Sequence, residues 1–584
     1  MGASSALQPP GMIPFQAQAL ARASCAYLND QLLTQDEALR SYGFAVPSEL
    51  ELESDFGDPL ATFWAERYGG PAIGINGGAG RCGTKGRFQV KGIGRTPLIG
   101  EGVGKFDFWH SHGGIALVDA MQEAIWGEVF AQALPYGAAR IAALLLTGTN
   151  CWYEGPDGKK TQARRALVVR ESTIRPAHFM RAIYFRPQPS LELESDTARV
   201  RAAVSLLTQY LPRGAGGGGT AQEEELLNRG LVELSSRLAF QCATAQTKRL
   251  LHGAISASNI ALDGRWVDFG TATSLPTYAN SKSFGSPTRF ATLWDEHRRI
   301  EPILELLCFY INKYFPFENR PAQVSLNALR QHFSNAYAES LRLATIGLLG
   351  LPATLLQPYW LARDVRVLGD ALIDVMRAGN ERRVESAVLD LSVFGHNNVG
   401  HVITTLAAQP DPARCDALLK PLVPQHAARR VLVQSFNNVL QLLGDRAANA
   451  GLTKVALRKL CTIGGVKATK PFTQLHRPNM AASNRQVIAE NAAVKDLEGA
   501  VHERIVGMSH LASVMYAPST CAVATLWRDP QTHVYYHPRK DKWLRERGGS
   551  TTEHEALACV EAMAPDLRRH WSDLIDPLHH VGQA

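Results

Sequence analysis

The chain has 584 residues, too many for one hydrophobic core, so two or three domains are expected. With 45% hydrophobic and 20% charged residues, and no tract of low hydrophobicity and high charge, the composition excludes a mainly disordered protein. The net charge of +7 is spread along the chain, and basic runs such as Lys159-Lys160 and Arg164-Arg165 are short; this argues against a nucleic-acid-binding stripe while leaving room for a small anionic substrate.

In chain order, Pro9-Pro10 and Pro14 precede a helical pattern over 17–33, so 1–60 is expected to be a helical N-terminal segment. Glycine density rises over 68–104, where strand-like pieces such as Gly86-Arg-Phe-Gln-Val-Lys91 alternate with turns. The run 116–134 spaces Leu117, Ala120, Met121, Ala124, Ile125, Val129 and Phe130 as one amphipathic helix. Strands are expected over 140–147 and 166–170, with a turn at Asp157-Gly158 between them. Residues 61–212 thus read as an α+β lobe. A glycine-rich linker occupies 213–219, and Thr220 with Glu223 forms a capping box that starts a helix. The unit 213–320 is expected to be helical apart from a strand–turn–strand over 259–270. Residues 321–584 are expected to be a helical domain whose end is irregular and aromatic, with Trp527, Tyr535, Tyr536 and Trp543.

The nine cysteines are scattered and odd in number, without a C-x-x-C pair, which points to reduced thiols in a cytoplasmic protein and away from a zinc ribbon. The N-terminus has no basic segment followed by an apolar core, Ala6 stands where a myristoylation signal needs Ser or Thr, and apolar runs such as 138–146 are too short to span a bilayer. Neither secretion nor membrane insertion is expected.

Five features carry chemistry. The loop Tyr68-Gly-Gly-Pro-Ala-Ile-Gly-Ile-Asn-Gly-Gly-Ala-Gly-Arg81-Cys-Gly83 contains Gly78 and Gly80, which let backbone N–H groups approach a polyphosphate, and Arg81, which adds charge. Lys91 ends an alternating strand, where its ammonium can reach phosphate oxygens. Glu123 lies at the buried margin of the 116–134 helix, where an unpaired carboxylate is costly and a lysine partner removes the cost; Glu128 is the competing candidate. In His252-Gly-Ala-Ile-Ser-Ala-Ser258-Asn259-Ile-Ala-Leu-Asp263-Gly-Arg-Trp-Val-Asp268-Phe269-Gly270, a turn at Asp263-Gly264 brings Asn259 and Asp268 together. Two hard oxygen ligands beside a phosphate suit Mg²⁺. Arg170 and Arg175, with His178 nearby, are placed to clamp phosphate oxygens. Glycine loop, strand lysine, helix glutamate, then Asn and Asp-Phe-Gly is the protein-kinase order, so a kinase-like bilobal core with a large, mostly α-helical C-terminal extension is expected.

Within that class, 60–310 resembles the selenoprotein O (SelO, YdiU) family of protein adenylyltransferases. Lys91-Gly-Ile-Gly-Arg-Thr-Pro97 is similar to that family's K-G-x-G-x-T-P, Gly78-Ala-Gly80-Arg81 resembles its G-D-G-R loop, and Glu123 matches its helix glutamate. Arg170 and Arg175 fall where the family has two phosphate-binding arginines, two residues closer together, and His252-Gly253 with Asn259 and Asp268 follows its H-G-x-x-N-T-D-N…D-Y-G block. The resemblance implies ATP bound in an orientation flipped relative to ordinary kinases, Mg²⁺ or Mn²⁺ at Asn259 and Asp268, and transfer of AMP to a protein or peptide acceptor. Two departures stand out. The family's catalytic acidic residue before the metal-binding Asn is Ser258, and the aspartate of its second D-G loop is His112, before Gly113.

A serine cannot accept a proton as a carboxylate does, and losing a general base typically costs about 10²–10⁴-fold. An acceptor that is already ionised, such as a carboxylate, removes that need; otherwise Asp263, Asp268 or the substrate assists. A second resemblance, of a SelO-like core with a long helical extension, is to the MchC-type proteins of siderophore-microcin maturation, which implies an acyltransferase-like partner. The alternatives are a phosphotransferase and a catalytically impaired scaffold of a peptide-modifying complex. The helical half also contains the run Lys470-Pro-Phe-Thr-Gln-Leu-His476-Arg477-Pro and the pair His396 and His401, for which turn and helix-cap roles are weighed above a metal or acid–base site.

Overall fold

Alternation decides the first element. In β1 (Met12–Leu20) Phe15 and Ala17 turn inward while Gln16 and Gln18 do not, a period of two that fits a half-buried strand. The 17–33 helix is therefore corrected: this segment runs from β1 into β2 (Ser24–Leu28). Ala, Gln and Leu favour helix locally, but pairing of β1 with β4 (Phe56–Glu66), Phe15 against Phe63, overrides that preference. Among the described residues of the first 60, the one α-helix is the short α1 (Gln35–Tyr42), capped by Thr34, and β3 (Phe44–Ala45) lies there as well.

The computed structural model describes residues 10–554 apart from 106, 156–157, 190, 214–221, 276, 279–292, 318–322, 379–397, 470–472, 492–495 and 529–530. The glycine-rich linker beyond Arg213, Thr220, Asp157, His396, Cys559 and residues 470–472 lie outside the described set. The chain is mixed α+β. An antiparallel eight-stranded sheet has the order β2-β7-β8-β6-β5-β4-β1-β3, where β5 is Cys82–Lys85, β6 Phe88–Lys91, β7 Ile141–Glu154 and β8 Lys160–Glu171. Along β6 the side chains part by the pleat. Phe88 and Val90 enter a core shared with Ala38 and Tyr42 of α1, and Gln89 and Lys91 face the other way.

On that other side lies α2 (Leu117–Ala133), within one residue of the expected helix at each end. Only a stripe of burial was expected, yet nearly every α2 side chain is buried. The cause is its neighbours: β7 and β8 on one side, α15 (Arg477–Glu490) and α16 (Leu497–Tyr516) on the other. The helical extension thus returns to the sheet.

After α3 (Asp196–Ser205) and α4 (Leu207–Tyr210), α5 (Glu223–Thr247) opens with Glu223, Glu224 and Glu225, whose charges suit its N-terminal dipole. Two short strands, β9 (Leu250–Leu251) and β10 (Thr273–Ser274), pair and enclose the 252–272 loop between them. Helices α6 (Ile300–Tyr314), α7 (Leu326–Gly347), α8 (Ala353–Leu356), α9 (Arg363–Ala378), α10 (Asn398–Ala408), α11 (Pro412–Leu419), α12 (His426–Leu442), α13 (Gly444–Asn449) and α14 (Lys454–Thr469) follow. One apolar core runs from α2 through α5 and α6 into this helical region.

The aromatic end is not irregular. Four strands there form an antiparallel sheet, β11 (Ala524–Arg528), β12 (Thr532–His537), β13 (Lys542–Arg547) and β14 (Ser550–His554), with Tyr536 against Trp543 at 4.8 Å between ring centres. No helix among the described residues is long and apolar enough to cross a membrane. The eight described cysteines are free.

Candidate active site

Strand β6 delivers Lys91 to α2, and the 252–272 loop delivers Asp268 to both. Lys91 Nζ donates to Glu123 Oε2 at 2.5 Å and to Asp268 Oδ1 at 2.9 Å. Glu123 Oε1 accepts from Arg170 Nη1 at 2.5 Å. Two carboxylates therefore face two cations, which is the condition for burying charge without a large desolvation penalty. The Lys91 and Glu123 side chains are 3% and 1% exposed, whereas Asp268 is 34% exposed and forms the open end of the cluster. Glu128, the competing helix glutamate, is paired with Arg140 instead.

The loop carrying Asp268 is held from several sides. Ala261 N–H donates to Arg265 O and Val267 N–H to Asn259 O, closing the expected turn at Asp263-Gly264 and setting Asn259 beside the Asp268 end. Phe269 is buried against Phe130 of α2, ring centres 5.3 Å apart, and Gln122 Nε2 donates to Gly270 O at 3.0 Å. Asp268 itself has φ +68°, a left-handed backbone uncommon for a non-glycine residue. Beneath it, His252 Nε2 bonds Val267 O at 3.0 Å, and burial pulls its imidazole below the ordinary range, so it is neutral and donates there. Glu296, which no sequence pattern marked, accepts from the backbone N–H groups of His252 (3.1 Å) and Gly253 (2.6 Å). Burial pushes its carboxyl up to about 7.

Asn259 Nδ2 donates to Ala254 O at 2.9 Å, and this fixes the amide so that Oδ1 is its acceptor face; Ser258 Oγ approaches that oxygen at 3.3 Å. Burial, the strongest single influence on Asp268, opposes its ionisation. The combined pull of Lys91, Arg170 and Arg81 nevertheless holds its carboxyl well below the usual range. A carboxylate held in its ionised form and an oriented amide oxygen are hard donors of the kind Mg²⁺ or Mn²⁺ takes, with phosphate oxygens filling other positions.

Not every expected site residue serves as its motif suggested. Arg170 donates to Gln89 as well as Glu123, and Arg175 donates to Thr173, to Ser258 O (2.9 Å) and to Gln89 (3.1 Å). All three nitrogens of each guanidinium are thus engaged by protein acceptors, so both arginines act here as struts between β6, β8 and the 252–272 loop. Gly78 and Gly80 also have structural tasks. A Cβ at Gly78, where φ is +142°, would lie 2.2 Å from Glu66 O. Thr96 ties the following loop back to Gly80 O and Ala79 O. Gly113 has φ +86°, and a Cβ there would meet Arg95 N at 2.4 Å, so the 92–97 run and the 113–114 turn are packed backbone to backbone. Beside them Arg81 is half-buried, with Nη1 3.5 Å from Gly114 O.

The acidic residues settle differently from expectation. Ser258 is buried, with Ser256 Oγ 3.0 Å away. Asp263, offered as a helper, is at the tip of the turn and bonded to Arg265. Asp119 was missed. It is one helical turn before Glu123 on the same face of α2, solvent-accessible but closely walled by protein. Desolvation by the surrounding protein raises its carboxyl above the ordinary range despite the opposing pull of Arg81, Arg477 and Lys91. His178 pairs with Glu66 in the interior. His476 and Arg477 sit at the start of α15, with Arg477 N–H bonded to Thr273 Oγ1 at 3.0 Å.

A scan against known protein families finds no matching model, and a search of curated proteins finds no match.

Proposed function

We propose that the cleft framed by Lys91, Glu123, Asn259 and Asp268 is a protein-kinase-like nucleotide site, and that it transfers AMP from ATP to a protein or peptide acceptor. The single observation that carries the reading is Lys91 bonded to both Glu123 and Asp268. A sheet lysine, a helix glutamate and a loop aspartate meeting in one ion cluster, with an oriented asparagine alongside, suit a nucleotide's phosphates and metal. Preference for AMP over phosphoryl transfer rests on the likeness of Lys91-Gly-Ile-Gly-Arg-Thr-Pro97 and Gly78-Ala-Gly80-Arg81 to the SelO motifs.

Asn259 Oδ1 and Asp268 would hold Mg²⁺ or Mn²⁺, which would supply charge neutralisation on the phosphates when bound. Lys91 and Arg81 orient and stabilise phosphate oxygens. The acceptor oxygen attacks the α-phosphorus, the bond from that phosphorus to the bridging oxygen breaks, and pyrophosphate leaves. A hydroxyl acceptor must lose a proton, which Ser258 cannot take. Two carboxylates in one cleft are pushed in opposite directions, Asp268 down and Asp119 up. That division suits Asp268 to the metal and Asp119 to the proton. A carboxylate acceptor would skip the proton step and yield an acyl adenylate.

Incubation with α-labelled and γ-labelled ATP tests the reading. Label from the α-position is expected on the acceptor and is expected to vanish in Asp268→Ala. Equal transfer from the γ-position would show a phosphotransferase, and Mg²⁺-dependent ATP binding without labelling would show a scaffold.

A further inference from the structure

A second cavity lies apart from the cleft. We propose that the cavity of about 440 Å³ bounded by the C-terminal ends of α2, α5, α7 and α16 and by α14 binds a small amphipathic anion, an acidic head group on an apolar body. It is separate from the nucleotide cleft: Ala133, at its wall, is ten residues beyond Glu123, about 15 Å along the helix. None of Arg81, Lys91, Asp119, Glu123, Asn259 or Asp268 lines it. The proposal therefore stands apart from the nucleotide reading.

The lining has two characters. Leu343, Leu348, Leu351, Leu356, Trp360 and Met515 give an apolar wall. Lys248, Arg249 and Lys467 are its charged groups, and no Asp or Glu is among the lining residues. Lys248 Nζ reaches Ala133 O at 2.5 Å and stands 5.4 Å from the Tyr516 ring centre, and Arg249 Nη2 donates to Ala468 O at 2.8 Å. Those are neutral partners. Among the described residues none accepts a hydrogen bond from the Lys467 ammonium, and Thr244 Oγ1, buried on the same wall, has no partner.

Lys248 and Lys467, gathered beside Arg249 in a largely apolar space whose described lining holds no carboxylate, repel one another. Burial pulls Lys248 down to about 8 and, with Lys248 adding to it, Lys467 down to about 7. An anionic head group supplies a counter-charge and acceptors for Lys467 and Thr244, while its body covers the leucines. Carboxylate and phosphate head groups share this chemistry.

Calorimetric titration of the full chain with decanoate, decyl phosphate and decylamine tests it. At least one of the two anions is expected to bind with one-to-one stoichiometry, and decylamine, with the same body and the opposite charge, is not. Lys467→Met is expected to weaken binding about tenfold or more, as loss of a charge-assisted bond should. A side chain added at Gly347 would enter open space on this wall, so Gly347→Leu is expected to block binding while the fold is kept, a control should Lys467→Met fail to fold. Binding is expected to weaken between about pH 6 and pH 9 as Lys467 and Lys248 lose protons. Arg249 stays charged over that range, and the Tyr516 hydroxyl, raised by burial, stays neutral. Failure of both anions to bind, equal binding of decylamine, or unchanged binding in Gly347→Leu would overturn the proposal.

Discussion

Replacing Glu123 by Gln, Lys91 by Met, and both together would measure how the buried ion cluster holds the cleft. In the native protein Lys91 and Arg170 balance Glu123 and Asp268. Glu123→Gln leaves two nearly unexposed cations facing only Asp268, and breaking a buried pair in this way costs about 3–5 kcal/mol. Lys91→Met should cost less, about 2–3 kcal/mol, because Glu123 keeps Arg170 and Asp268 keeps a third of its side chain in water. The double variant restores one cation to one anion. Its loss should fall short of the sum of the single losses by about 2–3 kcal/mol. Urea unfolding followed by tryptophan fluorescence would read this, since Trp126 on α2 and Trp266 beside Phe130 are fully buried near the site. A double variant whose loss equals that sum to within about 0.5 kcal/mol would refute the reasoning.

Three other outcomes are expected. Asp119→Asn should slow AMP transfer to a hydroxyl acceptor by about 10²–10⁴-fold and remove the rise in rate as pH passes through the raised range of this carboxyl; an unaltered pH–rate profile would dismiss Asp119 as the base. Glu296 folds with its carboxyl near 7 against an ordinary 4.5, so the folded state holds the extra proton and stability should decline as pH rises from 4.5 to 7. The contribution is at most about 3 kcal/mol, and denaturation of Glu296→Gln at both ends of that window should show a flatter dependence than the native chain. Gly78→Ala should lower the unfolding midpoint, because its Cβ would collide with Glu66 O at 2.2 Å; an unchanged midpoint would mean that the loop relaxes freely.

The parts of the site that could be read from sequence were those set by short-range pattern. The spacing of apolar residues located α2, the Asp263-Gly264 turn brought Asn259 to the Asp268 end, and the cost of burying Glu123 called for a cation. What escaped depended on distant partners. β1 finds its register on β4 and β2 on β7, so the helical propensity of 17–33 misled. Lys542–Arg547 is mostly charged and becomes a strand through pairing with β12 and β14. Arg170 is expected as a phosphate ligand from its close spacing with Arg175 beyond a strand, and the register of β6 and β8 sets it opposite Gln89 and within reach of Glu123. Asp119 stood four residues before Glu123 and could have been found by following that face of α2. Its carboxyl is raised by desolvation against the pull of Arg477, which arrives on α15 from far along the chain.

The central claim is that Asn259 and Asp268 form the metal-binding side of an AMP-transferring site. Simultaneous measurement of pyrophosphate, orthophosphate and acceptor-bound AMP in the native protein and in Asp268→Asn tests it most directly. One pyrophosphate released for each AMP attached, with both lost in Asp268→Asn while the fold is retained, is the expected result. Orthophosphate as the product, or undiminished AMP attachment in Asp268→Asn, would contradict it.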